Sequence, residues 1–141
     1  MKLNFIVKHM AKPSRIAELI DTVTEDVVKH PSDLTRYYAE RLGVSRVAAN
    51  NYIHQLEVGG WIARSGPSTR PVFSPGYNRE VSKLYKIEGL EEDLVWSKDF
   101  KPFLNLPPNV LNIANHGFTE MLNNAIDHSA GDEVFIWARQ Y

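Results

Sequence analysis

The amino-acid sequence predicts an α+β fold built from two parts. Residues 1–78 hold three segments with the 3.6-residue hydrophobic repeat of helices, followed by two strand-like segments around a turn-rich loop. Residues 79–141 hold one long helical segment and short strand-like segments. A chain of 141 residues suffices for one ordinary domain or two small ones. We therefore expect an N-terminal unit of three helices plus a β-hairpin over residues 1–78, and a partial α/β unit over residues 79–141.

Composition narrows the class of protein. Hydrophobic residues make up 43% of the chain and charged residues 23%, which is typical of a globular protein. The absence of cysteine excludes a disulfide framework, a thiolate nucleophile and a cysteine-based zinc or iron–sulfur site. The apolar run 3–7 is too short for the core of a signal peptide, and no later run approaches a membrane span. We expect a cytoplasmic protein with no membrane partner.

The two parts differ in net charge. Residues 1–79 hold 11 Lys and Arg against 7 Asp and Glu, a net charge of +4, whereas residues 80–141 hold 5 against 10, a net charge of −5. A cationic module joined to an anionic one is typical of a DNA-binding unit attached to a unit of another kind.

The first two helices follow from their apolar spacing. Pro13–Ser14 precedes the first helix, which ends before Pro31 because a proline disfavours helical backbone at the residue before it. Ser32 or Asp33 caps the second helix, where Leu34, Tyr38 and Leu42 face the core while Thr35, Arg36 and Arg41 stay outside. Upstream, Leu3, Phe5 and Val7 alternate as a short edge strand would.

The third helix and its preceding turn are the most informative stretch. Gly43 can adopt the left-handed conformation that ends the second helix, and Ser45 can cap the third. The buried stripe is Ala49, Ile53 and Leu56. Short polar and cationic groups that suit base edges and phosphates lie on the other faces: Ser45, Arg46, Asn50, Asn51 and His54.

A hairpin follows this helix. Gly59–Gly60 ends the helix, and the segments 61–64 and 70–73 flank the turn-rich loop 65–69. Arginines stand on both sides of that loop. The segment 74–78 again has turn composition, which predicts a boundary between the two parts.

This order of helix, tight turn, helix, double glycine and arginine-bearing hairpin resembles the bacterial winged helix-turn-helix regulators over residues 13–78. The resemblance implies double-stranded DNA as the partner. It also implies a recognition face of Ser45, Arg46, Asn50, Asn51 and His54, with wing contacts from Arg64, Thr69 and Arg70. The alternative is an amphipathic helix whose polar face meets only solvent.

The second half is expected to contain a short strand over 81–87, where Val81, Leu84 and Tyr85 also fit a helix. An acidic helix over 91–96 and an irregular, proline-containing connection over 101–108 should follow. Pro108 suits the first turn of a long helix reaching about residue 129, and residues 133–139 alternate as a strand. The spacing gives the long helix two unlike faces. The apolar face is Phe118, Met121, Leu122, Ala125 and Ile126, and the polar face is Glu120, Asn123, Asn124, Asp127 and His128.

The polar face resembles the N-box of the GHKL ATPases, the superfamily of gyrase, histidine kinases and anti-sigma kinases. The resemblance implies that Asn124 is a ligand of the Mg²⁺ that bridges ATP phosphates and that Glu120 is the catalytic base or water-orienting residue. Asp127 and His128 would then be phosphate-side groups of the cofactor site. The alternative is again a solvated helix face.

The sequence departs from that family where the adenine-binding Asp-x-Gly-x-Gly segment and the glycine-rich lid would stand, since neither occurs in it. Either the chain is the front part of a longer regulator, or its second half is a remnant or a dimerisation element. We expect no cofactor in residues 1–141, and Mg-ATP in a longer form.

Three hypotheses follow. The first is a DNA-binding transcriptional regulator with an incomplete histidine-kinase-like ATP-binding region as a sensor or partner module. The second is an ATPase or anti-sigma-type protein kinase in a longer form, with the winged helix used for protein docking. The third is an assembly domain that forms a homodimer.

Overall fold

The computed structural model describes residues 3–5, of which the backbone alone is described, and residues 14–141. Val7 and Pro13, which the sequence placed in an edge strand and at a helix start, lie outside the described residues. The elements in chain order are β1 (Leu3–Phe5), α1 (Arg15–Lys29), α2 (Leu34–Leu42), α3 (Arg46–Val58), β2 (Ile62–Ser65), β3 (Val72–Pro75), β4 (Arg79–Lys86), α4 (Glu92–Val95), α5 (Pro108–His128) and β5 (Glu133–Gln140). A π-helical turn, Trp96–Phe100, and a 3-10 turn, Lys101–Phe103, connect α4 to α5.

The helix boundaries confirm the expected signals at both ends of α1 and at the end of α2, whereas Asp33 precedes α2 without making the expected capping hydrogen bond. The hydroxyl of Ser14 accepts from the amide of Ala17 at the start of α1, and α1 ends at Lys29, before Pro31. Gly43 adopts φ +63° at the end of α2, a left-handed conformation that a side chain would strain. The acidic helix is shorter than expected, because α4 gives way to the π-helical turn at Trp96.

Both sheets are antiparallel, so the structure is α+β throughout the described residues. Strands β2 and β3 form the hairpin, with Ile62 opposite Pro75 and Ser65 opposite Val72. The second sheet has the order β1, β5, β4. The expected partial α/β character of residues 79–141 is therefore wrong for this sheet, since the connection through α4 and α5 returns β5 antiparallel to β4.

The described residues form two hydrophobic cores, one on each side of the expected boundary at residues 74–78. The first core is formed by Leu19, Val23, Val27, Leu34, Tyr38, Ala49, Ile53, Leu56, Ile62 and Phe73. In the second core, Phe118 and Leu122 of α5 pack with Ile136 and Ala138 of β5 and with the aromatic residues Trp96 and Phe100. Met121, which the sequence placed on the apolar face of α5, is 45% exposed, because that face is narrower than five residues.

Helix α1 belongs to the first core and also packs along the edge of β4 that faces away from β5. The hydroxyl of Thr24, fully buried, accepts from the backbone amide of Glu80 at 3.0 Å. Lys83 of β4 pairs with Glu25 of α1 at 2.9 Å. An uncovered edge strand would present unpaired backbone groups, so α1 both satisfies one backbone amide of β4 and joins the two parts.

A buried carboxylate ties α1 to α2. The Oδ2 atom of Asp26 accepts from the hydroxyl of Thr22 at 2.7 Å, the phenol of Tyr38 at 3.1 Å and the guanidinium of Arg41 at 2.8 Å. Arg41 is exposed, as the sequence predicts, and its guanidinium also turns back to neutralise Asp26.

Thr24→Val should lower the free energy of unfolding by about 1 to 3 kcal/mol, since the variant leaves the buried amide of Glu80 without an acceptor. Urea denaturation measures the change. Thr69→Val, at an exposed position of the hairpin loop, should change stability by less than about 0.5 kcal/mol. Equal effects from the two variants would contradict the assigned role of Thr24.

Alkaline pH should destabilise the fold through Tyr38. Burial, followed by the neighbouring Asp26 carboxylate, raises the pKa of Tyr38 above its ordinary value of 10.0. The unfolded chain then loses the phenolic proton first, so the stabilisation is complete below pH 10 and is lost as pH rises above it. Tyr38 should contribute a slope of up to about 1.4 kcal/mol per pH unit, to which Tyr85 adds because burial and Asp99 raise its pKa as well.

Urea denaturation between about pH 9 and pH 11 tests this expectation. Tyr38→Phe should flatten the alkaline decline, whereas Tyr77→Phe should leave it unchanged because Tyr77 is 88% exposed in the folded protein. An alkaline decline that persists undiminished in Tyr38→Phe would overturn the assignment.

Candidate nucleic-acid interface

The turn between α2 and α3 fixes the direction of α3. The amide of Val44 donates to the carbonyl of Ala39 at 3.0 Å, immediately after the left-handed Gly43. Ser45 then caps α3, its hydroxyl accepting from the amide of Ala48 at 3.1 Å. Because both helices are tied to this short turn, the first residues of α3 are held at the surface of the first core.

All five side chains predicted for the recognition face are exposed. Ala49, Ile53 and Leu56 are fully buried on the opposite side of the helix. Val47, which was not among the residues predicted from the sequence, is also exposed on α3, at 72%. We define the outer face of α3 as Val47, Asn50, Asn51, His54 and Val58, which recur at i, i+3, i+4, i+7 and i+11.

The two asparagines of the outer face differ in their contacts. The Oδ1 atom of Asn50 accepts a hydrogen bond at 3.1 Å from the hydroxyl of Thr35 on α2. Within the described part of the chain, the side chain of Asn51 has no such partner. Asn50 therefore links α2 to α3, whereas Asn51 keeps both its donor and its acceptor for a ligand.

A groove brings the start of α3 together with the hairpin. It has a volume of about 600 Å³ and is lined by residues 32–36 of α2 and the turn before it, by Arg46, and by residues 69–73 of the hairpin. The amide of Phe73 donates to the carbonyl of Pro31 at 2.8 Å, which holds the hairpin against the turn before α2. We refer to this feature as the arginine groove, because Arg36, Arg46 and Arg70 all line it and all are exposed.

Asp33 is the acidic residue among the groove-lining residues, and its charge is balanced locally. His30 and Arg36 each lie 3.2 Å from its carboxylate. The hydrogen bond from His30 is the largest of the effects that hold the pKa of Asp33 below its ordinary value. Since Asp33 shares its charge with these neighbours, Arg46 and Arg70 supply an uncompensated positive charge on the groove.

Thr69 and Arg70 lie in the groove as the predicted wing contacts, but Arg64 lies elsewhere. Its guanidinium pairs with Glu57 near the end of α3 at 2.7 Å and stacks on the ring of Phe73. A phosphate would have to compete with Glu57 for this side chain. The spacing of strand β2 does not reveal this contact, since Glu57 lies seven residues earlier in a different element.

The four residues predicted for a nucleotide site lie on α5. Glu120, Asn124, Asp127 and His128 are all exposed, and they recur at the spacing of a helix face. Among the described residues, no group of three or more His, Asp or Glu side chains is placed to hold a metal ion. Any Mg²⁺ bound there would therefore depend on phosphate oxygens and water for most of its ligands.

We expect no tight Mg-ATP binding to residues 1–141, with a dissociation constant above about 1 mM, which corresponds to about −4 kcal/mol. An exposed helix face with few ligands excludes little water and holds phosphate weakly. Isothermal titration with Mg-ATP tests this, and Asn124→Ala is the matched variant. Micromolar binding that Asn124→Ala abolishes would show that residues 1–141 already contain a working site.

Within the described residues, no helix combines the length and the apolar character needed to cross a bilayer. A scan against protein-family models found no match, and searches of curated proteins and of solved structures found none either.

Proposed function

We propose that this chain is a DNA-binding transcriptional regulator in which residues 14–75 act as a winged helix-turn-helix. The order of α1, α2, α3 and the β2–β3 hairpin supports the proposal, as does the hydrogen bond from Phe73 to Pro31 that docks the hairpin beside α2. In this assignment α3 is the recognition helix and the hairpin loop is the wing.

The observation that carries the proposal is the arginine groove beside the outer face of α3. Arg46 stands at the first turn of α3 and Arg70 on the hairpin, so two cations line one groove at the start of a helix that carries exposed amide and imidazole groups. A helix with its side chains is about 10 to 12 Å across, close to the width of about 12 Å of the major groove. Asn51 and His54 would then face base edges, while the two arginines of the groove reach backbone phosphates near the start of the helix.

Charge supports the same partner. The net charge of +4 on residues 1–79 suits a polyanion, and the net charge of −5 on residues 80–141 would direct DNA away from the second part. The excess is modest, so binding by a single copy should be weak and should depend steeply on salt.

For residues 79–141 we propose an incomplete GHKL-like region that acts as a sensor or partner module. The support is the order of Glu120, Asn124, Asp127 and His128 on one exposed side of α5, followed by strand β5. In a longer form Asn124 would be the Mg²⁺ ligand and Glu120 the residue that orients water. The contacts of α1 with β4 would connect such a region to the DNA-binding unit.

Duplex-DNA binding measured by fluorescence anisotropy between about 50 and 200 mM salt tests the DNA-binding proposal. The protein should show a linear decrease of log affinity with log salt concentration. Arg46→Ala combined with Arg70→Ala should weaken binding and reduce the steepness of that line by about 1.8, because each lost phosphate contact removes about 0.9.

Lys98→Ala combined with Lys101→Ala is the matched control, since it removes the same charge from exposed positions of the second part. The control should keep the original steepness. An unchanged salt dependence in the arginine variant, or an equal loss in the lysine variant, would remove the arginine groove from the interface.

A further inference from the structure

We infer that α3 recognises an adenine and a thymine in the major groove. Asn51 hydrogen bonds to the adenine, and Val47 contacts the 5-methyl group of a thymine in the same base pair or in an adjacent one. This inference rests on the proposed DNA-binding function and adds the class of sequence that the site recognises. The inference is drawn from the outer face of α3, whose side chains differ from one another in their hydrogen bonds.

Asn51 suits adenine because its amide presents one acceptor and one donor together. Adenine offers a donor at N6 and an acceptor at N7 in the major groove, and an asparagine side chain can pair with both. Asn50 is less suited to this role, because its Oδ1 atom already accepts from Thr35. The structure thus separates two neighbouring asparagines that the sequence treats alike.

Val47 is apolar, yet it is 72% exposed in the first turn of α3. It lies four residues before Asn51 on the same side of the helix, which places their Cβ atoms about 5 to 6 Å apart. That separation spans one or two base-pair steps of about 3.4 Å. The thymine methyl is the apolar group that the major groove offers, and a branched aliphatic side chain can cover it.

Groups at the start of α3 place Val47 close to DNA. Arg46 precedes it and lines the arginine groove, and Ser45 caps the helix at the same end. Val58, also on the outer face, is 75% exposed but lies at the other end of α3, about 16 Å further along the axis. Val47 therefore lies next to the phosphate-binding cations, and Val58 lies far from them.

The experiment begins with selection of preferred duplexes from a randomised pool by the unmodified protein. Each thymine of the selected site is then replaced by deoxyuridine, which lacks only the 5-methyl group. One replacement should weaken binding by about fourfold, the value expected for one buried methyl group. The same replacement should have no effect on Val47→Ala.

Val58→Ala is the matched control, because it shortens a second exposed valine on the same face. It should retain the full fourfold sensitivity to deoxyuridine. In a parallel experiment, each adenine is replaced in turn by 7-deazaadenine, which lacks the N7 acceptor. One replacement should weaken duplex binding by the unmodified protein and by Asn50→Ala. The same replacement should leave the affinity of Asn51→Ala unchanged.

The outcomes separate this inference from the function on which it rests. If no duplex binds, the DNA-binding proposal itself fails. If duplexes bind without sequence preference, or if Val47→Ala keeps its sensitivity to every deoxyuridine replacement, the DNA-binding proposal stands and the thymine contact is overturned. If Asn51→Ala keeps its sensitivity to every 7-deazaadenine replacement, the adenine contact is overturned.

Discussion

The structure depends on the contact between α1 and strand β4, because this contact joins a helix of the first core to a strand of the second. Thr24 accepts the amide that β4 would otherwise leave unpaired at its free edge. Beside it, the carboxylate of Glu80 is 1% exposed and accepts at 2.6 Å from the guanidinium of Arg139 on β5. A charge buried so deeply is tolerated only with a partner, so this ion pair holds β4 against β5, while the amide of the same residue holds β4 against α1.

Arg139 extends this coupling toward the DNA-binding unit. Its guanidinium lies 5.0 Å from the ring of Trp137 and 5.3 Å from the ring of Trp61, which follows α3 across the double glycine. A Cβ atom at Gly59 would approach the Trp61 ring to 2.8 Å, so this turn has no room for a side chain. The end of α3 and the strand after α5 therefore share one packed contact, and the proposed recognition and sensor regions meet through it.

Much of the local structure could be predicted from residue patterns. The turn at Gly43, the cap at Ser45 and the long helix from Pro108 all appear where the sequence indicated, because each depends on interactions within a few residues. The errors concern distant partners. The helical spacing places Met121 on the apolar face of α5, but its exposure depends on how much of that face the rest of the protein covers. Arg64 pairs with Glu57, a contact that no spacing within strand β2 reveals.

The sequence by itself determined the α+β class, the helices and the hairpin of the first part and the division of charge between the parts, since hydrophobic periodicity, capping and turn chemistry act locally. Only the tertiary structure decided that the strands of the second sheet are antiparallel, that Asn50 is held by Thr35 while Asn51 is not, and that Val47 is exposed. The physical reason is that strand direction, hydrogen-bond partners and burial are set by elements far apart in the chain, whose positions no local pattern encodes.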